Sequence, residues 1–184
     1  MTVPNLITLI RILLTPIFVI YVINDQLLNG LVVLVICGIS DGVDGMVARL
    51  FNQKSRLGTF IDPLADKIIL VSAFISLSIR GFLPPWLTVV AISRDLLIMT
   101  GVFIIYLTGI ELKIKPVLSS KVTTCLQFIT VIAVLSREYL TFLDDKYIYL
   151  YYITAFATIV SFLQYLYLWL RIMGEKHDHS GPEP

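Results

Sequence analysis

The chain has 184 residues, of which 57% are hydrophobic and 15% charged, where an ordinary soluble domain has roughly 45–50% apolar and about 25% charged residues. A mean hydropathy of +0.87 leaves too little polar surface to wet a soluble domain of this size, which argues against disorder, a disulfide scaffold and a coiled coil and for a chain solvated by lipid. Fourteen Lys and Arg against thirteen Asp and Glu give a formal net charge of +1, so there is no basic excess for a nucleic-acid partner and any functional charge is local.

Six apolar stretches approach the ~20 residues that cross a bilayer as helix: Leu6–Ile23, Leu27–Leu50, Asp62–Ile79, Pro85–Leu107, Val117–Leu135 and Tyr147–Leu170. They predict an all-α, polytopic membrane protein with six transmembrane helices in one bundle. Breaks fall at Asn24 and Asp25, at Asn52 to Gly58, at Gly81 with Pro84 and Pro85, at Glu111 to Pro116 and at Arg137 to Lys146. The first stretch has no basic n-region or cleavage site and is interrupted by Arg11, so it reads as a retained helix rather than a signal peptide. Pro16 and Pro63 are expected to kink or start helices. Residues 1–173 form one membrane domain, and the polar residues 174–184 are expected to be a disordered tail in which His177 and His179 are solvated.

Cys37 and Cys125 lie in apolar runs, where a small buried hydrophobe is the expected role. Trp86, Trp169 and the tyrosines from Tyr147 to Tyr167 read as interface anchors and packing. Orientation follows from the cations. Arg11, Arg49, Lys54, Arg56, Lys113, Lys115, Lys121, Arg171 and Lys176 fall toward one side, against Arg80, Arg137 and Lys146 on the other, which makes the first side cytoplasmic. Both termini are then cytoplasmic, in the inner membrane if the host is bacterial.

The chemistry concentrates where the second stretch ends and the third begins, at Asp41, Asp44, Asp62 and Asp66. Acids at such depth are costly and are normally functional or paired. On helices, Asp41, Asp44, Gly45 and Ala48 share one face, and Asp62 and Asp66 share another. Four hard oxygen ligands brought together repel one another unless a divalent cation lies between them, and carboxylates with water and phosphate suit Mg²⁺ or Mn²⁺. A substrate phosphate is therefore expected, with Arg49 able to reach it and Gly42, Gly45, Ala48, Gly58 and Ala65 leaving room.

The plain alternative is an ion-pair network with Arg49, Arg56 and Lys67 as counterions. A calcium-loop reading from Asp41 fails because its twelfth position is Asn52 rather than Glu, and no Walker lysine motif or dinucleotide fingerprint is present. The acids could instead form the cation path of a transporter, but such sites sit near the midplane between repeated halves. Here the acids cluster at one end, and there is no internal repeat.

Asp41-Gly42-Val43-Asp44-Gly45-Met46-Val47-Ala48-Arg49 followed by Gly58, Asp62 and Asp66 resembles the signature of the CDP-alcohol phosphatidyltransferases, with all eight of its fixed positions filled. Pro4-Asn5-Leu6-Ile7-Thr8 with Arg11 and the six-span plan extend the likeness over nearly the whole chain. The resemblance implies an enzyme that moves a phosphatidyl group from CDP-diacylglycerol to an alcohol, releases CMP, and works as a homodimer. It implies two divalent ions, Mg²⁺ or Mn²⁺, on Asp41, Asp44, Asp62 and Asp66. By the same likeness Asp66 also takes the proton of the attacking hydroxyl, and Asp41, Gly45, Ala48, Arg49 and Gly58 bind CDP-diacylglycerol. Two metals suit such a displacement because charge builds on both the incoming and the leaving oxygen.

The signature does not choose the acceptor. Phosphatidylglycerophosphate synthases resemble the amino-terminal half but carry more cations in spans four and five. Here the counterparts are Arg94-Asp95, the apolar stretch through Thr100, Gly101 and Val102, and Ser120-Lys121-Val122-Thr123. Pro63-Leu64-Ala65-Asp66-Lys67-Ile68, Ile92-Ser93-Arg94-Asp95, Lys115-Pro116, Ser120-Lys121, Gln127 and Thr154-Ala155-Phe156 look more like the eukaryotic-type cardiolipin synthases. That branch implies phosphatidylglycerol as acceptor; the other implies glycerol 3-phosphate. In either case Arg94, Lys115 and Lys121 are the expected acceptor contacts. Arg94 and Asp95 are adjacent and so are expected to point in different directions and to neutralise each other poorly.

Overall fold

The computed structural model describes the backbone of residues 3–50, 56–107, 118–139 and 146–178, and the side chains of residues 10–40, 67–101, 118–139 and 146–170. The described residues are helical, without strands: α1 (Val3–Ile23), α2 (Leu27–Leu50), α3 (Arg56–Ile79), α4 (Pro85–Leu107), α5 (Leu118–Leu135) and α6 (Tyr147–Asp178). Each apolar stretch is thus one helix. Three boundaries differ from expectation by more than one residue: α1 begins at Val3, three residues ahead of Leu6, and the others lie in α3 and α6. α3 begins six residues ahead of Asp62, so Pro63 lies inside the helix rather than starting it, and α6 continues five residues into the stretch expected to be a disordered tail.

The turns show why the chain breaks where it does. At the end of α1, Asp25 adopts a left-handed φ of 59°. Its amide donates to the Val22 carbonyl, and the Gln26 amide donates back to Tyr21 at 2.9 Å. This is a Schellman cap, and Asp is among the few non-glycine residues that tolerate it. The same cap closes α3: Gly81 has φ 75°, its amide donates to Ser78, and that of Phe82 to Leu77. α4 then opens on Pro85, at a position where a missing amide hydrogen costs nothing.

α1 packs against both α2 and α3, while α6 packs against α4 and α5; the two sets meet where α3 touches α4 and α5 and where α2 touches α5. Phe18, Val22, Leu34, Phe74, Leu77, Val131 and Leu135 fill the centre. Gly30 permits the close α1–α2 approach, since a Cβ there would stand 3.3 Å from the Val22 methyl.

Polarity is reversed relative to a water-soluble bundle. Gln127, Thr130, Thr154, Thr158 and Ser161 are fully buried, whereas Leu13, Ile39, Phe156 and Tyr167 are more than half exposed. Hydroxyls turned inward to helix partners with large apolar groups turned outward is the arrangement expected of helices in hydrocarbon. Among the described residues, Leu118–Leu135 and Tyr147–Leu170 are long and apolar enough to cross a membrane by length and composition. Cys37 is buried as expected, but Cys125 is exposed, because it lies on the outward side of α5 between the buried Thr123 and Gln127.

One end of the bundle is clasped by polar and aromatic contacts. Arg80 forms a two-pronged ion pair with Asp25, and hydrogen bonding from this guanidinium holds the Asp25 carboxyl below the usual carboxylate range. The Tyr151 hydroxyl donates to the Phe82 carbonyl at 3.0 Å, Arg137 lies 5.5 Å from the centre of the Phe82 ring, and Trp86 stacks on Tyr152. The acids of α2 and α3 are placed toward the other end.

Candidate active site

Asp41 and Asp44 fall in the last three turns of α2, and Gly58, Asp62 and Asp66 in the first three turns of α3. The two helices follow one another in sequence, separated by residues 51–55, and both pack on α1. Spacings of three and four residues put each acid pair at one helical register. The side chains of Asp41, Asp44, Gly45, Ala48, Arg49, Gly58, Asp62 and Asp66 lie outside the described residues, as does Lys115 altogether. As a donor set, four carboxylates on two successive helices that both pack on α1 fit the chemistry of a hard divalent cation. Among the described residues no group of three or more His, Cys, Asp or Glu could hold a metal.

Packed on α3 lies a buried polar network centred on α4. Arg94 and Asp95, in the middle of α4, are 1% and 5% exposed. Contrary to the expectation from adjacency, Arg94 Nη1 donates to Asp95 Oδ1 at 2.6 Å. The rule that neighbours diverge concerns Cβ directions, and a guanidinium on its long stem can fold back to reach the next side chain.

The rest of Arg94 crosses to other helices. Nη2 donates to Ser120 Oγ of α5 at 2.5 Å, and Nε and Nη2 donate to Ser161 Oγ of α6 at 3.3 and 3.1 Å. Asp95 accepts from Lys67 Nζ of α3, which is 2.8 Å from both of its oxygens. Lys67, expected as a possible counterion to the signature acids, thus has Asp95 as a partner. A buried carboxylate is tolerable only with such compensation.

Lys121, on the first turns of α5, is exposed. Of the three expected acceptor contacts, Arg94 is enclosed, Lys121 is accessible and Lys115 is outside the described residues. Sequence reasoning passed over Ser161 and Thr158. The available signal was their spacing with Thr154, since three hydroxyls at i, i+4 and i+7 line one helical face. That face meets α5: Thr130 and Thr154 share a 2.7 Å hydroxyl contact, and Thr123 Oγ1 donates to the Ala157 carbonyl at 2.9 Å.

Gln127 lies in this same seam, fully buried, with neither amide oxygen nor amide nitrogen hydrogen-bonded. An unmet buried amide costs roughly 1–3 kcal/mol. Gln127→Met is therefore expected to raise stability by about 1 kcal/mol or more, read as a higher midpoint of thermal unfolding in detergent. A lower midpoint would show that the amide is satisfied within the folded protein.

Comparison with known proteins agrees with the signature. Residues 1–173 match the family model described as CDP-alcohol phosphatidyltransferase. The chain is 34% identical to a rat (Rattus norvegicus) protein named cardiolipin synthase (CMP-forming), over 89% of this chain and 60% of that protein. The human (Homo sapiens) protein of the same name is 33% identical with the same coverage. A CDP-diacylglycerol–glycerol-3-phosphate 3-phosphatidyltransferase from Aquifex aeolicus is 35% identical over 57% of this chain and 61% of that protein. The chain thus spans about three-fifths of the length of these curated relatives.

Proposed function

The chain belongs to the CDP-alcohol phosphatidyltransferase family, and we propose that it transfers the phosphatidyl group of CDP-diacylglycerol to a hydroxyl of phosphatidylglycerol, giving cardiolipin and CMP. The observation that carries this reading is the complete signature from Asp41 to Asp66, set on the end of α2 and the start of α3, two helices that share α1 as a packing partner. The acceptor follows from the relatives named cardiolipin synthase (CMP-forming), whose likeness runs through nine-tenths of the chain. Glycerol 3-phosphate is the second reading, supported by the Aquifex relative.

In this proposal Asp66 accepts the proton of the acceptor hydroxyl as its oxygen bonds to the diacylglycerol-side phosphorus, and the bond from that phosphorus to the CMP oxygen breaks. Asp41, Asp44, Asp62 and Asp66 would hold two Mg²⁺ or Mn²⁺ ions, which when bound offset the charge on the pyrophosphate. Asp41, Gly45, Ala48, Arg49 and Gly58 bind the cytidine diphosphate part. The small residues leave space, and Arg49 supplies a charged fork. Lys115 and Lys121 face the anionic acceptor.

All six helices span the membrane, in keeping with lengths of 18 to 32 residues and the reversed polarity of the described side chains. The acids and both termini are cytoplasmic. A homodimer is part of the reading by family likeness.

The test is purified protein in mixed micelles with CDP-diacylglycerol and Mg²⁺ or Mn²⁺, offered phosphatidylglycerol and glycerol 3-phosphate separately, with the lipid product identified by mass spectrometry. Cardiolipin from the first acceptor alone supports the proposal. Phosphatidylglycerophosphate from the second moves the protein to the other branch, and no CMP from either overturns phosphatidyl transfer.

A further inference from the structure

Asp95 joins the two helix sets through one carboxylate. Both of its oxygens hold Lys67 Nζ of α3 at 2.8 Å, and Oδ1 also accepts from Arg94, whose other donors reach Ser120 on α5 and Ser161 on α6. Four helices are therefore tied at a point that is nearly closed to solvent at Asp95 and Arg94, and partly open at Lys67.

The placement of Lys67 gives this tie a bearing on the reaction. Lys67 follows Asp66 directly and lies five positions after Asp62. One helical residue is a fixed step of about 100° and ~1.5 Å, so holding position 67 against α4 fixes the rotation and height of positions 66 and 62 on α3. A slip of α3 by even a fraction of a turn would carry both acids away from their counterparts on α2.

We propose that Asp95 is a positioning residue: by clamping Lys67 it sets the register at which α3 presents Asp62 and Asp66, and it locks that register to the α4–α5–α6 set. The roles of Asp62 and Asp66 in this inference rest on the function proposed above. The described partners of Asp95 are Lys67 and Arg94. Asp95 acts one step removed, as do residues that orient the ligands of a metal site, and changing such a residue typically costs 10–100-fold in metal affinity or activity.

The experiment compares wild type, Asp95→Asn, Lys67→Met and the double variant, each as the full chain in detergent. Three quantities are read: free Mn²⁺ by electron paramagnetic resonance at equilibrium without substrates, CMP release with KM and kcat for each substrate, and the thermal midpoint. Each single variant is expected to bind Mn²⁺ about tenfold more weakly and to lose kcat by about tenfold or more, with the acceptor KM changed far less. The double variant is expected to be no worse than either single variant, because both break the same link.

Mn²⁺ affinity within twofold of wild type in the single variants, or multiplying losses in the double, would overturn the inference and leave Asp95 a purely structural pin. Should Asp95→Asn fail to fold, Lys67→Met carries the same test from the partly exposed side of the pair. A wild type that binds Mn²⁺ but releases no CMP defeats the functional reading, while the Mn²⁺ comparison still decides the role of Asp95.

Discussion

Asp66→Asn is expected to abolish CMP release, with a loss of about a thousandfold or more, while CDP-diacylglycerol still binds. General-base catalysis alone contributes roughly 10²–10⁴-fold, and the amide that replaces the carboxylate keeps its shape but can neither accept the hydroxyl proton nor match its charge toward a divalent cation. In the proposed site donor binding would draw also on Asp41, Asp44 and Asp62, and on Gly45, Ala48, Arg49 and Gly58, so it should weaken far less than turnover. The measurement pairs CMP release with equilibrium binding of CDP-diacylglycerol in the same micelles. Near-normal turnover would remove Asp66 as the base, and equal loss of binding and turnover would reduce it to a metal ligand.

Arg94→Ala is expected to unfold the protein rather than to alter its acceptor preference. The guanidinium is 1% exposed and holds Asp95, Ser120 and Ser161 at once. Its removal leaves a buried carboxylate with Lys67 as its remaining described partner and two hydroxyls without their donor. Breaking one partner of a buried ion pair costs about 3–5 kcal/mol, a large part of the ~5–15 kcal/mol that stabilises a typical domain. Arg94→Lys should recover little, because an ammonium cannot reproduce the fork that reaches three side chains.

The thermal midpoint in detergent and the yield of monodisperse protein are the readouts. Lys121→Ala, at an exposed position, is the control: it should leave stability unchanged and raise the KM for the anionic acceptor. A stable Arg94→Ala protein with a selectively raised acceptor KM would return Arg94 to the list of acceptor contacts.

Much of the architecture was legible in the residues because long apolar helices advertise their lengths and their breaks. Asn24-Asp25 and Gly81 with the two prolines are the chemistry of a left-handed cap followed by a helix start, and the chain turns there. α3 was read six residues short because Arg56 to Phe60 mixes polar and apolar residues, and Pro63 imitates a first-turn proline. The placement of Asp41 and Asp44 late in α2 and of Asp62 and Asp66 early in α3 followed from the order of the apolar stretches.

The network around Arg94 did not. Whether a buried arginine faces a ligand or its own bundle depends on which serines arrive from α5 and α6, and contacts 26 and 67 residues away in the chain leave no local trace. Lys67 was similarly ambiguous, since its position after Asp66 gives no sign that its ammonium reaches α4. The hydroxyls of α6 were present in the sequence at helical spacing, but Ser and Thr are common enough in membrane helices that their inward orientation emerges only from packing.

The arrangement of two sets of three helices, α1 with α2 and α3 and α6 with α4 and α5, also bears on how such a protein can change over generations. The signature acids reside in the first set and the expected acceptor contacts in the second or the segment leading into it, so under the proposed function the leaving-group chemistry and the choice of alcohol could drift at different rates. A recombinant that exchanged α4 to α6 with those of a relative would inherit a new acceptor preference only by rebuilding the junction. On the α3–α4 side that junction includes the Lys67–Asp95 pair and the hydrogen bond that the Thr88 hydroxyl donates to the Phe74 carbonyl.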